Sequence, residues 1–111
     1  MNLQQFVMTK IAEECTEVGK RALKQAQFGA GQHDEGYPPN ARRLHDEVTD
    51  LMMWLAVAQK IGISYPAGNV YARFREKQAK IVKVLRISVE QGQVDAGVLA
   101  YFDQLVMDVM P

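Results

Sequence analysis

The sequence predicts an all-α fold, a four-helix bundle, and three observations predict it. Apolar residues recur at three- and four-residue intervals over long stretches. Convincing strand-like alternation is absent. Glycine- and proline-bearing segments separate the stretches.

The first stretch reads as helix from residue 3 to about 28, with inward positions Leu3, Val7, Ile11, Glu14, Val18 and Ala22. Asn2 stands where an N-cap belongs and Gln5 falls at the third helical position, the pattern of a capping box. Gly29 and Gly31 end this helix, and residues 29–40, with three glycines and two prolines, form a loop. Asn40 is placed to cap a second helix from 41 to about 61, stopped by Gly62, with inward positions Leu44, Glu47/Val48, Leu51, Leu55 and Ala58. A short connection containing Pro66 follows, and Asn69 or a neighbour opens a third helix reaching roughly residue 91. Its apolar positions are Val70, Phe74, Ile81, Val84 and Leu85. Gly92 breaks it, and Asp95 is placed to cap a fourth helix over 96–110. That last helix is apolar on more than one side, through Val98, Leu99, Tyr101, Phe102, Leu105, Val106, Met107 and Met110. The surplus has two readings: it closes the chain's own core, or it supplies a second burying surface and makes the protein oligomeric.

Bulk properties narrow the classes. With 111 residues the chain suits one domain with a modest core. Thirteen basic residues balance thirteen acidic ones, so net charge gives no electrostatic basis for a nucleic-acid or membrane partner. Cys15 is the single cysteine, which excludes an internal disulfide framework and fits a reducing compartment. Following Glu14 in helical register, it reads as a small packing residue rather than a reactive one. No basic-then-apolar leader and no bilayer-length apolar run is present, so the expected location is cytoplasmic.

The chemistry lies in two acidic pairs, Glu14/Glu17 and Glu47/Asp50. Each has three-residue spacing on a helix, which puts both carboxylates on one face. Glu14 and Glu47 fall at inward positions, where an ionised carboxylate is costly unless a cation compensates it. Four oxygen donors on two helices suit Mg²⁺ or a similar hard cation. A di-iron site is a poorer match, because it normally adds a Glu-x-x-His motif on two helices. His33 lies in the loop and His45 on the side of its helix away from Glu47 and Leu51, so both read as surface residues. One cysteine and two scattered histidines likewise make no zinc ligand set.

Glu13-Glu14-Cys15-Thr16-Glu17, followed by Glu47-Val48-Thr49-Asp50, resembles the EExxE…ExxD signature of the all-α nucleoside triphosphate pyrophosphohydrolases, the MazG-like superfamily. The flanking text, AEECTEVGKRALKQAQFG and RRLHDEVTDLMMWL, is similar to that of its small single-domain members. The resemblance covers roughly residues 3–90, and the last helix adds little to it. ExxE or ExxD alone is a common surface pattern, whereas all four acids in order on inward faces are more specific. One departure is the Gly/Pro-rich loop, which separates the motifs by more than is usual and bears on the mouth of the pocket more than on the metal site.

The resemblance implies hydrolysis of a nucleoside triphosphate, usually a deoxynucleotide, to the monophosphate and pyrophosphate. Matched residue by residue, Glu14, Glu17, Glu47 and Asp50 would be the Mg²⁺ ligands, with Mn²⁺ as a substitute ion. Glu13 and Asp46 flank them, either orienting water or lying solvated on the helix. A triphosphate also calls for cations. Lys24 lies two turns beyond Glu17 on about the same face, and Arg73, Lys77, Lys80 and Lys83 line the third helix. Of these, Lys77 and Lys80 match lysines of small relatives and are the favoured phosphate contacts, against the alternative of a solvated basic face. Trp54, one turn after Asp50, either stacks on the base or packs in the core, and Phe28 is a weaker base candidate. Two other classes compete with the enzyme reading: a non-catalytic nucleotide- or metal-binding module, and a purely structural helical oligomer.

Overall fold

The structure, a computed structural model, describes residues 1–64, 68 and 70–110. Among these residues it is all-helical, with α1 (Leu3–Phe28), α2 (Asn40–Lys60), α3 (Val70–Glu90) and α4 (Ala96–Val109), and it contains no strand. The chain divides into two compact units, Met1–Pro66 and Ala67–Pro111. In the first, α1 packs on α2; in the second, α3 packs on α4.

The start of α1 is fixed locally. Asn2 Oδ1 accepts from the Gln5 backbone N–H and Gln5 Oε1 accepts from the Asn2 N–H, each at 2.8 Å, so the capping box forms as the sequence indicates. At the other end Gly29 takes φ 96°, a conformation that favours glycine, and its N–H donates to the Gln25 carbonyl. Asn40 departs from its expected role. The N-cap of α2 is Pro39, which makes no side-chain cap bond, and Asn40 is the first helical residue. Its side chain points back across the loop, where Nδ2 donates to the Gly29 carbonyl at 3.0 Å. The residue is buried, at 7% exposure. The amide therefore satisfies a carbonyl left over at the end of α1 rather than an N–H at the start of α2. Backbone bonds from Asn40 to Gln32 and from Ala41 to Ala30 close the same loop.

Helices α1 and α2 run antiparallel. Phe6 meets Trp54 edge-to-face at 5.8 Å near one end, and Asn40 meets Gly29 at the other. Val7 and Ala58 are fully buried in this seam, while Ile11, Val18, Leu44 and Leu51 are half-buried. Leu3, Ala22 and Leu55, expected to face inward, are exposed, as is Val48 at the margin of the stripe. Two helices share a single line of contact, so the hairpin alone covers only part of an apolar stripe more than 100° wide. Cys15 is also exposed, which corrects the expectation that it packs. It follows Glu14 by one residue and so lies about 100° round the helix, off the seam.

In the second unit Gly92 (φ 71°) turns the chain after α3, and Asp95 occupies the N-cap position of α4 without a side-chain cap bond. Gln78 Nε2 donates to Asp103 Oδ1 at 3.2 Å between the two helices. Ile81, Leu85, Leu99, Phe102 and Val106 are half-buried, whereas Val84, Tyr101 and Leu105 are each more than half exposed. Val70 and Phe74, expected on the apolar stripe, are exposed as well. Each hairpin thus carries apolar surface that it does not cover by itself. The expected roles of Pro66 in the connection and Asn69 at the start of α3 lie outside the described residues. Among the described residues no helix is long and apolar enough to cross a membrane.

Candidate metal centre

Midway along the α1/α2 seam three carboxylates converge. Glu14 comes from α1, and Glu47 and Asp50 come from successive turns of α2. One oxygen from each lies within 4.8 Å of the others. Glu14 and Glu47 are half-buried, and Asp50 is exposed at the rim. Antiparallel packing produces the convergence: the register that sets Phe6 against Trp54 brings Glu14 opposite Glu47 and Asp50.

The electrostatics of the group are unfavourable as it stands. The Glu14 carboxyl is held above its ordinary value of 4.5, first by burial, then by the negative charges of Asp50 and Glu47, by a hydrogen bond with Glu47, and last by Glu17. Among the described residues none of Glu14, Glu17, Glu47 and Asp50 forms an ion pair with a lysine or arginine. The acids beside them do: Glu13 pairs with Lys10 at 3.1 Å, and Asp46 pairs with Arg42 at 3.1 Å. Those pairs place Glu13 and Asp46 on solvated outer faces, the plainer of their two readings. Among the described residues the half-buried seam acids Glu14, Glu17 and Glu47 therefore lack a compensating cation.

A divalent cation fits that lack. The donors are all carboxylate oxygens, the hard set preferred by Mg²⁺, Mn²⁺ and Ca²⁺. In an octahedral Mg²⁺ shell with ~2.1 Å bonds, opposite oxygens stand about 4.2 Å apart and neighbouring ones about 3.0 Å, so an ion here would draw the three carboxylates closer together. Glu17 lies outside the three-residue cluster. It is half-buried one turn further along α1, near enough for its charge to be felt at Glu14. His33 and His45 are exposed, and neither belongs to the cluster.

The remaining sequence candidates are distributed as follows. Trp54 is half-buried one turn beyond Asp50, with its ring engaged by Phe6. Lys24 sets its ammonium 5.6 Å from the centre of the Phe28 ring, near the loop end of the hairpin. Lys77 and Lys80 are exposed on α3, in the second unit. Two half-buried arginines absent from the sequence candidates, Arg21 and Arg43, line a cleft with Lys24. Their spacing was the available signal: Arg21 stands four residues after Glu17, and Arg43 four before Glu47.

Comparison with known proteins yields no match to any family model, curated protein or solved structure.

Proposed function

We propose that this chain is a Mg²⁺-dependent nucleoside triphosphate pyrophosphohydrolase of the MazG-like kind, converting a (deoxy)nucleoside triphosphate and water to the monophosphate and pyrophosphate. One observation carries the reading: the two separate ExxE and ExxD motifs bring Glu14, Glu47 and Asp50 to one point in a helical seam where, among the described residues, none of the three pairs with a lysine or arginine. A divalent ion bound there would supply charge neutralisation and Lewis acidity toward the phosphates. Phosphoryl transfer needs mainly positioning and charge stabilisation, which suits a site built of rigid helices.

In this reading Glu14, Glu47 and Asp50 hold the ion, and Glu17 completes the set as a fourth carboxylate. Lys24 offsets phosphate charge, and the exposed portion of Trp54 offers a face to the base. The uncovered apolar surfaces of both hairpins, densest on α4, favour a bundle completed in a homodimer or homotetramer. The cellular role would be nucleotide-pool control or removal of aberrant nucleotides in the cytoplasm.

The test is pyrophosphate release from a panel of canonical and modified nucleoside triphosphates, in Mg²⁺ and in EDTA. The expected result is release in Mg²⁺ alone, with one base preferred. A folded protein that releases none from any nucleotide refutes the enzyme reading and leaves a binding module.

A further inference from the structure

Toward the loop, the face of the hairpin that carries the carboxylates changes sign. On α1, Arg21 and Lys24 follow Glu17 by four and seven residues; on α2, Arg43 precedes Glu47 by four. Those intervals keep all three on the acid-bearing face, about one to three turns from Glu14 and Glu47. With Lys20 and Phe28 they line a cleft of about 450 Å³ between the helix ends and the loop. That volume falls within the roughly 300–1,000 Å³ of small-molecule sites.

The charge in this cleft is lopsided. Four lysine and arginine side chains line it against one carboxylate, Asp34. Among the described residues none of the four has an ion-pair partner. Two are instead held by aromatic rings: Lys24 over Phe28 at 5.6 Å and Arg43 over Tyr37 at 5.2 Å. Ring contacts restrain a long side chain and leave its charge in place. The wall opposite α1 is also braced, because buried Asn40 ties the start of α2 to Gly29. Converging cations on a braced scaffold are stabilised by a multiply charged anion, and guanidinium groups suit the paired oxygens of a phosphate.

We propose that this cleft is a diphosphate-binding subsite, which takes a pyrophosphate group through Arg21, Lys24 and Arg43 without a divalent ion. Its place in the reaction rests on the pyrophosphohydrolase reading, in which a diphosphate is part of the substrate and also a product. The rise from Glu17 to Lys24 is about 10 Å along the helix, so the acidic and basic sites adjoin without coinciding.

The probe is inorganic pyrophosphate, titrated into the full-length chain in EDTA by calorimetry. The expected result is saturable binding that weakens as salt rises. Arg21→Gln and Arg43→Gln should each weaken it at least tenfold, while Lys60→Gln, at the far end of α2, leaves it unchanged. Circular dichroism checks each variant for fold, and Lys24→Gln serves should either arginine variant unfold. No binding in EDTA overturns the proposal, and so does binding indifferent to the arginines or equally reduced by Lys60→Gln. A non-hydrolysable nucleoside triphosphate added as competitor identifies the source: mutual exclusion assigns the subsite to the substrate's phosphate chain, and simultaneous binding assigns it to free pyrophosphate. The two readings fail separately. Metal-dependent hydrolysis without pyrophosphate binding in EDTA overturns this subsite alone, whereas arginine-dependent binding without hydrolysis overturns the enzyme alone.

Discussion

The two helical hairpins share an architecture and differ in what they put on the inner face. Between α3 and α4 the half-buried positions carry no charge among the described residues: they are mostly apolar, with Ile81, Leu85, Leu99, Phe102 and Val106, beside polar Gln78 and Ser88. Charged groups there are exposed: Asp103, which accepts from Gln78, and the Arg73–Glu76 pair along α3. Between α1 and α2 the equivalent seam holds Glu14 and Glu47 half-buried, with Asp50 at the rim. A seam built only for stability would resemble the second hairpin, since replacing inward charge with apolar groups is often neutral or favourable. The first hairpin departs from that pattern at the carboxylates and again, toward the loop, at half-buried Arg21 and Arg43, and in each place the departing groups come together. Local violation of the packing pattern is what a functional site looks like in an otherwise consistent sequence.

The largest expected effect breaks the first hairpin's chemistry and spares its fold. Glu47→Gln or Asp50→Asn should lower Mg²⁺-dependent pyrophosphate release about a thousandfold, the scale of losing several kcal/mol of charge stabilisation. Lys83→Gln on α3 should leave the rate unchanged in the same assay. Retained activity in the α2 variants would erase the functional distinction between the hairpins.

Next in size is the loop brace. Asn40→Ala leaves the Gly29 carbonyl short of its side-chain donor and should cost about 1–3 kcal/mol in urea denaturation. Asn2→Ala removes one half of the capping box and should cost about 1 kcal/mol. If the two costs are equal, the loop brace adds nothing beyond an ordinary cap.

The smallest effect concerns charge. Because the Glu14 pKa is raised on folding, its stabilising contribution is full below the unfolded value near 4.5 and is lost as pH rises through the folded value. At neutral pH without metal, the ionised cluster therefore works against the fold. In EDTA at pH 7.5, Glu14→Gln should melt above wild type, and the gap should close as pH falls toward 4.5. Saturating Mg²⁺ should reverse the order, because only wild type retains the full ligand set. A gap that does not depend on pH would remove the electrostatic explanation.

The sequence made local features readable and left cross-chain features obscure. The Asn2–Gln5 box was legible because donor and acceptor are three residues apart. The helix ends at Gly29 and Gly92 were legible because positive φ favours glycine. Asn40 was misassigned because its partner lies eleven residues back, a contact that exists only after the hairpin closes. The acidic pairs were visible as i,i+3 spacings on inward stripes. That Glu14, Glu47 and Asp50 form the tight group, with Glu17 beside it, depends on the register between α1 and α2. Arg21 and Arg43 escaped notice for the same reason: each reads as a surface charge on its own helix, and only the antiparallel register lines one cleft with both.

If Glu14, Glu47 and Asp50 form a divalent-metal centre, titration of Mn²⁺ into the 111-residue chain, followed by electron paramagnetic resonance, reads it directly. Wild type should bind Mn²⁺ saturably at pH 7.5, more tightly than at pH 5, and lose it to excess Mg²⁺. Glu47→Gln and Asp50→Asn should each abolish that binding while staying helical. Saturable binding that survives both substitutions, or none in wild type, would contradict the claim.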